Sequence, residues 1–130
     1  MRRPLARANT HAMGVRYRSE SNRLARLREA LSELLPRLID AETERIVLFG
    51  SAARGDVGSV SDLDLLVVRH DSRPHSERVD ALYRRARPTV ALDLLVYTPE
   101  ELALAEQTSS FLRTALREGE VVYERSRTLA

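Results

Sequence analysis

The sequence predicts a small α/β (α+β) domain, a mixed sheet of about four strands with helices packed on it. Three observations predict it. Apolar runs at residues 46–49, 63–68 and 90–97, the last two broken only by Asp64 and Asp93, have the length and the β-branched content of buried strands. Stretches with apolar residues three and four apart lie before, between and after them, as helices that cover a sheet require. Glycine, proline, serine and aspartate cluster at the junctions.

The first helix is expected from Ser21. Leu24, Leu27, Leu31, Leu34, Leu35, Leu38 and Ile39 form one stripe, Ser19 or Ser21 can cap its start, and Pro36 should kink or restart it. Residues 1–18 lack clean periodicity and read as a flexible basic tail ahead of a single domain at 19–125. The first strand ends at Gly50 and Ser51, residues 51–54 can form a helical turn, and 56–61 read as a loop. After the second strand comes a loop with Pro74. A helix follows over 77–87, with Val79, Leu82, Tyr83 and Ala86 on its inner face and Pro88 as its stop. Thr98, Pro99 and Glu101 spell a capping box with proline at the first helical position. Ser109 or Ser110 starts a last helix that turns Phe111, Leu112, Ala115 and Leu116 inward. Gly119 ends it, and residues 120–124 form a final strand.

The chain has 130 residues, enough for one core and too few for two ordinary domains. No apolar run nears the roughly 18 residues a membrane helix needs, and no signal-peptide core follows the basic start. The absence of cysteine excludes disulfides and thiolate metal sites and fits a cytoplasmic location. Every basic side chain other than histidine is arginine. Residues 1–28 carry a net +7, which leaves −5 of the chain's overall +2 for the remainder. The bland explanation is compositional bias; the sharper one is a basic arm for nucleic acid or an acidic partner. With no aromatic residues interleaved, direct nucleic-acid binding is not expected. Arg84, Arg85 and Arg87 read as a solvated helix face or as a dock for an acidic partner. His11, His70 and His75 lack metal-ligand spacing and read as surface residues, whereas Tyr83, Tyr97 and Tyr123 read as core. An exposed sheet edge leaves a homo-oligomer open.

The chemistry concentrates in residues 46–68 and at Asp93. Asp62 and Asp64 lie one residue apart at a strand start and so face the same way. Aspartate is depleted in strands, and buried carboxylates need a partner, for which a divalent cation serves. Asp93 is the sole charge in an apolar strand. An isolated D-x-D is more often a loop residue and a solvated edge, and a strand aspartate can pair with arginine. Convergence of all three requires the two strands to be neighbours. Gly50 after a buried strand lets backbone approach a ligand, and a helix start beyond it offers N–H groups to phosphate; alone, glycine-serine is an ordinary turn. Arg54 can reach a phosphate or neutralise Asp56.

Gly50-Ser51, ten residues, Asp62-x-Asp64 and a later lone strand aspartate resemble the DNA polymerase beta-like nucleotidyltransferase superfamily. The strings LFGSAARG and SDLDLLV resemble more closely its minimal nucleotidyltransferases, small domains often encoded beside a HEPN-domain partner. Ala52 departs mildly from that pattern, which often has a bulkier or basic residue there. The resemblance implies that Asp62, Asp64 and Asp93 bind two Mg²⁺ ions and that Gly50 and Ser51 hold the β- and γ-phosphates. It implies ATP as the nucleoside triphosphate and AMP transfer to a hydroxyl, a tyrosine of a HEPN toxin, with this chain as antitoxin. With 37 residues after Asp93, the acceptor is expected on a separate protein. The competing expectation is a binding module that inhibits its partner by covering it, without transfer.

Overall fold

Strand β2 (Leu63–Arg69) is buried along its whole length, and the rest of the fold is arranged to bury it. The computed structural model describes residues 8–54 and 62–126, with side chains from residue 22 onward except that of Arg54. Around β2 lie α1 (Ala8–Leu38), β1 (Thr43–Phe49), α2 (Gly50–Arg54), α3 (His75–Ala86), β3 (Leu92–Tyr97), α4 (Pro99–Thr108), α5 (Ser110–Glu118) and β4 (Glu120–Glu124). The sheet has the order β3-β2-β1-β4; β1 pairs antiparallel with β2 and β4, and β2 pairs parallel with β3.

Alternation along the strands divides the core in two. One face carries Ile46, Leu48, Leu63, Leu65, Val67, Leu92, Leu94 and Val96, covered by Leu27, Leu31, Leu34 and Leu38 of α1 and by Leu82 and Ala86 of α3. The other carries Val47, Phe49, Leu66 and Val68, covered by Leu102 of α4 and Leu112 and Ala115 of α5. Covering both faces is why the central strands read as mostly apolar runs rather than as an alternating pattern.

Several sequence expectations need correction. The first helix begins at Ala8, ahead of Ser19 and Ser21, so the segment expected as a tail is helical from there; Pro36 lies in its last turn and the helix ends at Leu38 without restarting. Tyr83, placed in the core by its spacing, is 43% exposed, and Phe111, expected inward, is 58% exposed. A four-residue stripe is wider than the face α5 buries, so Leu112 and Ala115 go in and Phe111 stays out. Arg85 is not a free surface cation: it donates to the terminal carbonyls of Arg37 and Leu38 and to Asp40, while Arg37 donates to the Ala86 carbonyl. The C-terminal ends of α1 and α3 thereby satisfy each other's open carbonyls. His75 is likewise engaged, its Nε2 accepting from the Val96 N–H at 3.1 Å. No described helix is long and apolar enough to cross a membrane.

The caps of α4 and α5 follow the sequence. Thr98 accepts from the Glu101 N–H and Glu101 accepts from the Thr98 N–H, completing the capping box. Ser109 accepts from Leu112 and Gly119 closes α5. Glu101 also joins buried Arg78 through two hydrogen bonds of 2.6 and 3.0 Å. The Arg78 guanidinium first, then the Thr98 N–H, hold the Glu101 carboxyl down at about 2. At Asp40, burial opposes ionisation, but the Glu42 N–H and the Arg69 guanidinium outweigh it and lower its pKa to about 2. Both folded values lie below the ordinary carboxylate range. Their stabilisation is therefore complete above about pH 4.5 and lost as pH falls toward about 2. Thermal melts should show Tm constant near neutrality and falling through that window, with a smaller fall for Glu101→Gln. A melting temperature independent of pH there would contradict these pairings.

Candidate functional site

The register of the sheet brings the functional positions to one end. Phe49, the last residue of β1, pairs with Asp64, the second residue of β2. Asp64 pairs in turn with Asp93, the second residue of β3. Neighbouring residues in a parallel pair point the same way. Alternation puts Asp64 and Asp93 with Leu66, Leu95 and Tyr97 on the face covered by α4 and α5. Asp64 is buried and Asp93 exposed, so the pair opens outward from the sheet.

Gly50 starts α2 directly beside this pair. Its φ of 74° lies in the left-handed region that glycine adopts without cost. A Cβ at this position would overlap Asp64 Oδ2. Glycine is thus required by its backbone angle, and a side chain there would also have to displace the Asp64 carboxylate. Ser51 follows, buried at 6% exposure. The backbone of Arg54 closes α2; its side chain, and Asp56 with the loop expected over 56–61, lie outside the described residues.

Asp62 stands just before β2 and is bound differently. Its N–H donates to the Ala91 carbonyl at 2.9 Å, and its Oδ2 accepts from the Ala91 N–H at 3.0 Å, so it ties the start of β2 to the approach of β3. Its Oδ1 accepts from the Arg23 guanidinium of α1. Among the described residues no three of His, Cys, Asp and Glu are gathered closely enough to hold a metal ion. The structure brings together Gly50, Ser51, Asp64 and Asp93, with Asp62 adjacent but engaged by Arg23.

Sequence reasoning missed Arg23. The signal was there: Arg23 precedes Leu27 by four positions and so extends the buried stripe of Leu27, Leu31, Leu34 and Leu38 with a charge. Its side chain is 40% exposed, yet Nε is buried and has no hydrogen-bond partner among the described residues. The donor set fits a hard divalent cation, since it is all carboxylate oxygen, and the glycine cradle against Asp64 keeps backbone close. Asp62 joins that set only by exchanging a guanidinium for the ion.

A model of the nucleotidyltransferase domain family matches residues 24–124, which include all three aspartates and the Gly50-Ser51 turn. Among solved structures, a candidate nucleotidyltransferase from Sulfolobus solfataricus is similar over 94% of each chain, with a TM-score of 0.51 and 18% identity. At that identity the likeness is one of fold. No curated protein sequence matches the chain.

Gly50→Ala tests the cradle. A side chain at a left-handed position costs about 1–3 kcal/mol, and the overlap with Asp64 adds to it. Urea unfolding should show a loss of at least that size; unchanged stability would mean that the backbone does not approach the carboxylate as described.

Proposed function

The chain belongs to the nucleotidyltransferase domain family, and from that membership we propose that it transfers a nucleoside monophosphate, AMP from ATP, to a hydroxyl group. The observation that carries the reading is the in-register pair of Asp64 and Asp93 with the Gly50 backbone against Asp64. The acceptor oxygen attacks the α-phosphorus, the bond from that phosphorus to the bridging oxygen breaks, and pyrophosphate leaves. Gly50 and Ser51 would hold the β- and γ-phosphates at the start of α2. Asp62, Asp64 and Asp93 would hold Mg²⁺, which supplies Lewis acidity to the acceptor oxygen and neutralises charge on the leaving pyrophosphate. Asp93, exposed at the rim, would receive the acceptor proton. Positioning and charge neutralisation carry most of the rate in such transfers.

We further propose that the hydroxyl is a tyrosine of a HEPN toxin and that the chain is its antitoxin. Supporting this, the described residues after Asp93 form α4, α5 and β4, which are used in covering and extending the sheet. A second reading, a non-catalytic cover for the same partner, draws on the Arg23–Asp62 pair, which holds Asp62 to α1.

Two measurements separate these readings. Incubation with α-labelled ATP, MgCl₂ and the product of the adjacent gene should label that product. Asp64→Asn should reduce labelling by at least ~10²–10³-fold with an unchanged circular-dichroism spectrum. A tight unlabelled complex would favour the cover. Calorimetric titration with Mn²⁺ should show tighter binding to Arg23→Ala than to the parent chain, because the guanidinium no longer competes for Asp62. Equal or weaker binding would take Arg23 out of the ion's way.

A further inference from the structure

Helix α5 places an aromatic ring beside the candidate site. Phe111 is 58% exposed although its neighbours Leu112 and Ala115 are buried. It meets Phe49 edge-on, with ring centroids 5.9 Å apart and planes at 83°. Phe49, Gly50, Phe111, Thr114, Ala115 and Glu118 line a cleft of about 200 Å³. Gly50 is the junction, since it lines this cleft and also abuts the Asp64 carboxylate. The cleft is smaller than the roughly 300–1,000 Å³ of a site for a drug-sized ligand, so it suits one flat ring system rather than a whole nucleotide.

We propose that this cleft is the base subsite of the nucleotide, with the base lying on Phe111 and the phosphates on the far side of Gly50. The inference rests on the nucleotidyltransferase reading and adds to it the residues that choose the base. Aromatic stacking accepts every base, because each has a π-face. Discrimination comes from Glu118. Among the described residues its ion-pair partner is Arg117 at 3.9 Å, and both side chains are about half exposed or more, so the carboxylate can accept from a ligand. A carboxylate accepts from an exocyclic amino group. Adenine, cytosine and guanine carry one and uracil does not, so the cleft selects amino-bearing bases against UTP.

Equilibrium binding of ATP, UTP and inorganic tripolyphosphate, each with MgCl₂, tests the proposal on the full chain. Phe111→Ala should weaken ATP binding ~5–150-fold and leave tripolyphosphate binding unchanged, and Phe111→Trp should retain ATP affinity. Glu118→Gln should narrow the preference for ATP over UTP. Phe111 is mostly exposed, so its removal leaves the core in place. If Phe111→Ala binds ATP like the parent chain while tripolyphosphate still binds, the subsite is wrong and the nucleotide reading stands. Loss of binding to a protein partner with unchanged ATP affinity would likewise reassign Phe111 to that partner. If the parent chain binds neither ATP nor tripolyphosphate, both readings fall.

Discussion

Two carboxylates on paired positions of neighbouring parallel strands set the terms for this molecule. Asp64 and Asp93 face the same way from β2 and β3. Like charges across a strand pair weaken a sheet. Asp93 is exposed, so solvent and salt screen that repulsion. β2 is buried completely, with apolar side chains on both of its faces, which fixes the two carboxylates in their register. Such a strand does not slip, because a shift of one residue would exchange its two buried faces and move Asp64 to the side of α1.

The surrounding elements serve that placement. The Asp62–Ala91 hydrogen bonds fix where β2 and β3 begin relative to each other, which is what puts Asp64 level with Asp93. The antiparallel return from β1 brings Gly50 to the same end. Arg23 reaches in from α1 to Asp62, so the helix that covers one face also contributes the charge beside the site on the other. At the opposite edge, Glu120 of β4 is held to α1 by Arg28 through hydrogen bonds of 2.7 and 3.0 Å.

Much of this was legible in the sequence wherever the information was local. The buried strands, the Thr98 capping box, the Gly119 stop and the short turn after Gly50 each depend on a few adjacent residues, and all appear. The family resemblance rested on a motif with fixed spacing, and the family match covers the same stretch. What spacing could not supply was which strands pair, in which direction and register; the convergence of Asp64 with Asp93 depends on that alone. Long-range pairs were equally hidden. Arg23 with Asp62 and Arg85 with Asp40 join residues about forty positions apart, and arginine on a helix looks the same whether it ends in water or on a carboxylate. Phe111 and Tyr83 were misplaced for a related reason: an apolar stripe says which residues can be buried, while the width of the facing surface decides which are.

In the proposed site Asp64 and Asp93 share one divalent cation. Crystals grown or soaked with MnCl₂ and a non-hydrolysable ATP analogue would test it through the anomalous scattering of manganese. The expected result is a manganese peak ligated by both carboxylates, with the β- and γ-phosphates against Gly50 and Ser51. A peak elsewhere on the protein, or an analogue bound without manganese between these two aspartates, would contradict it.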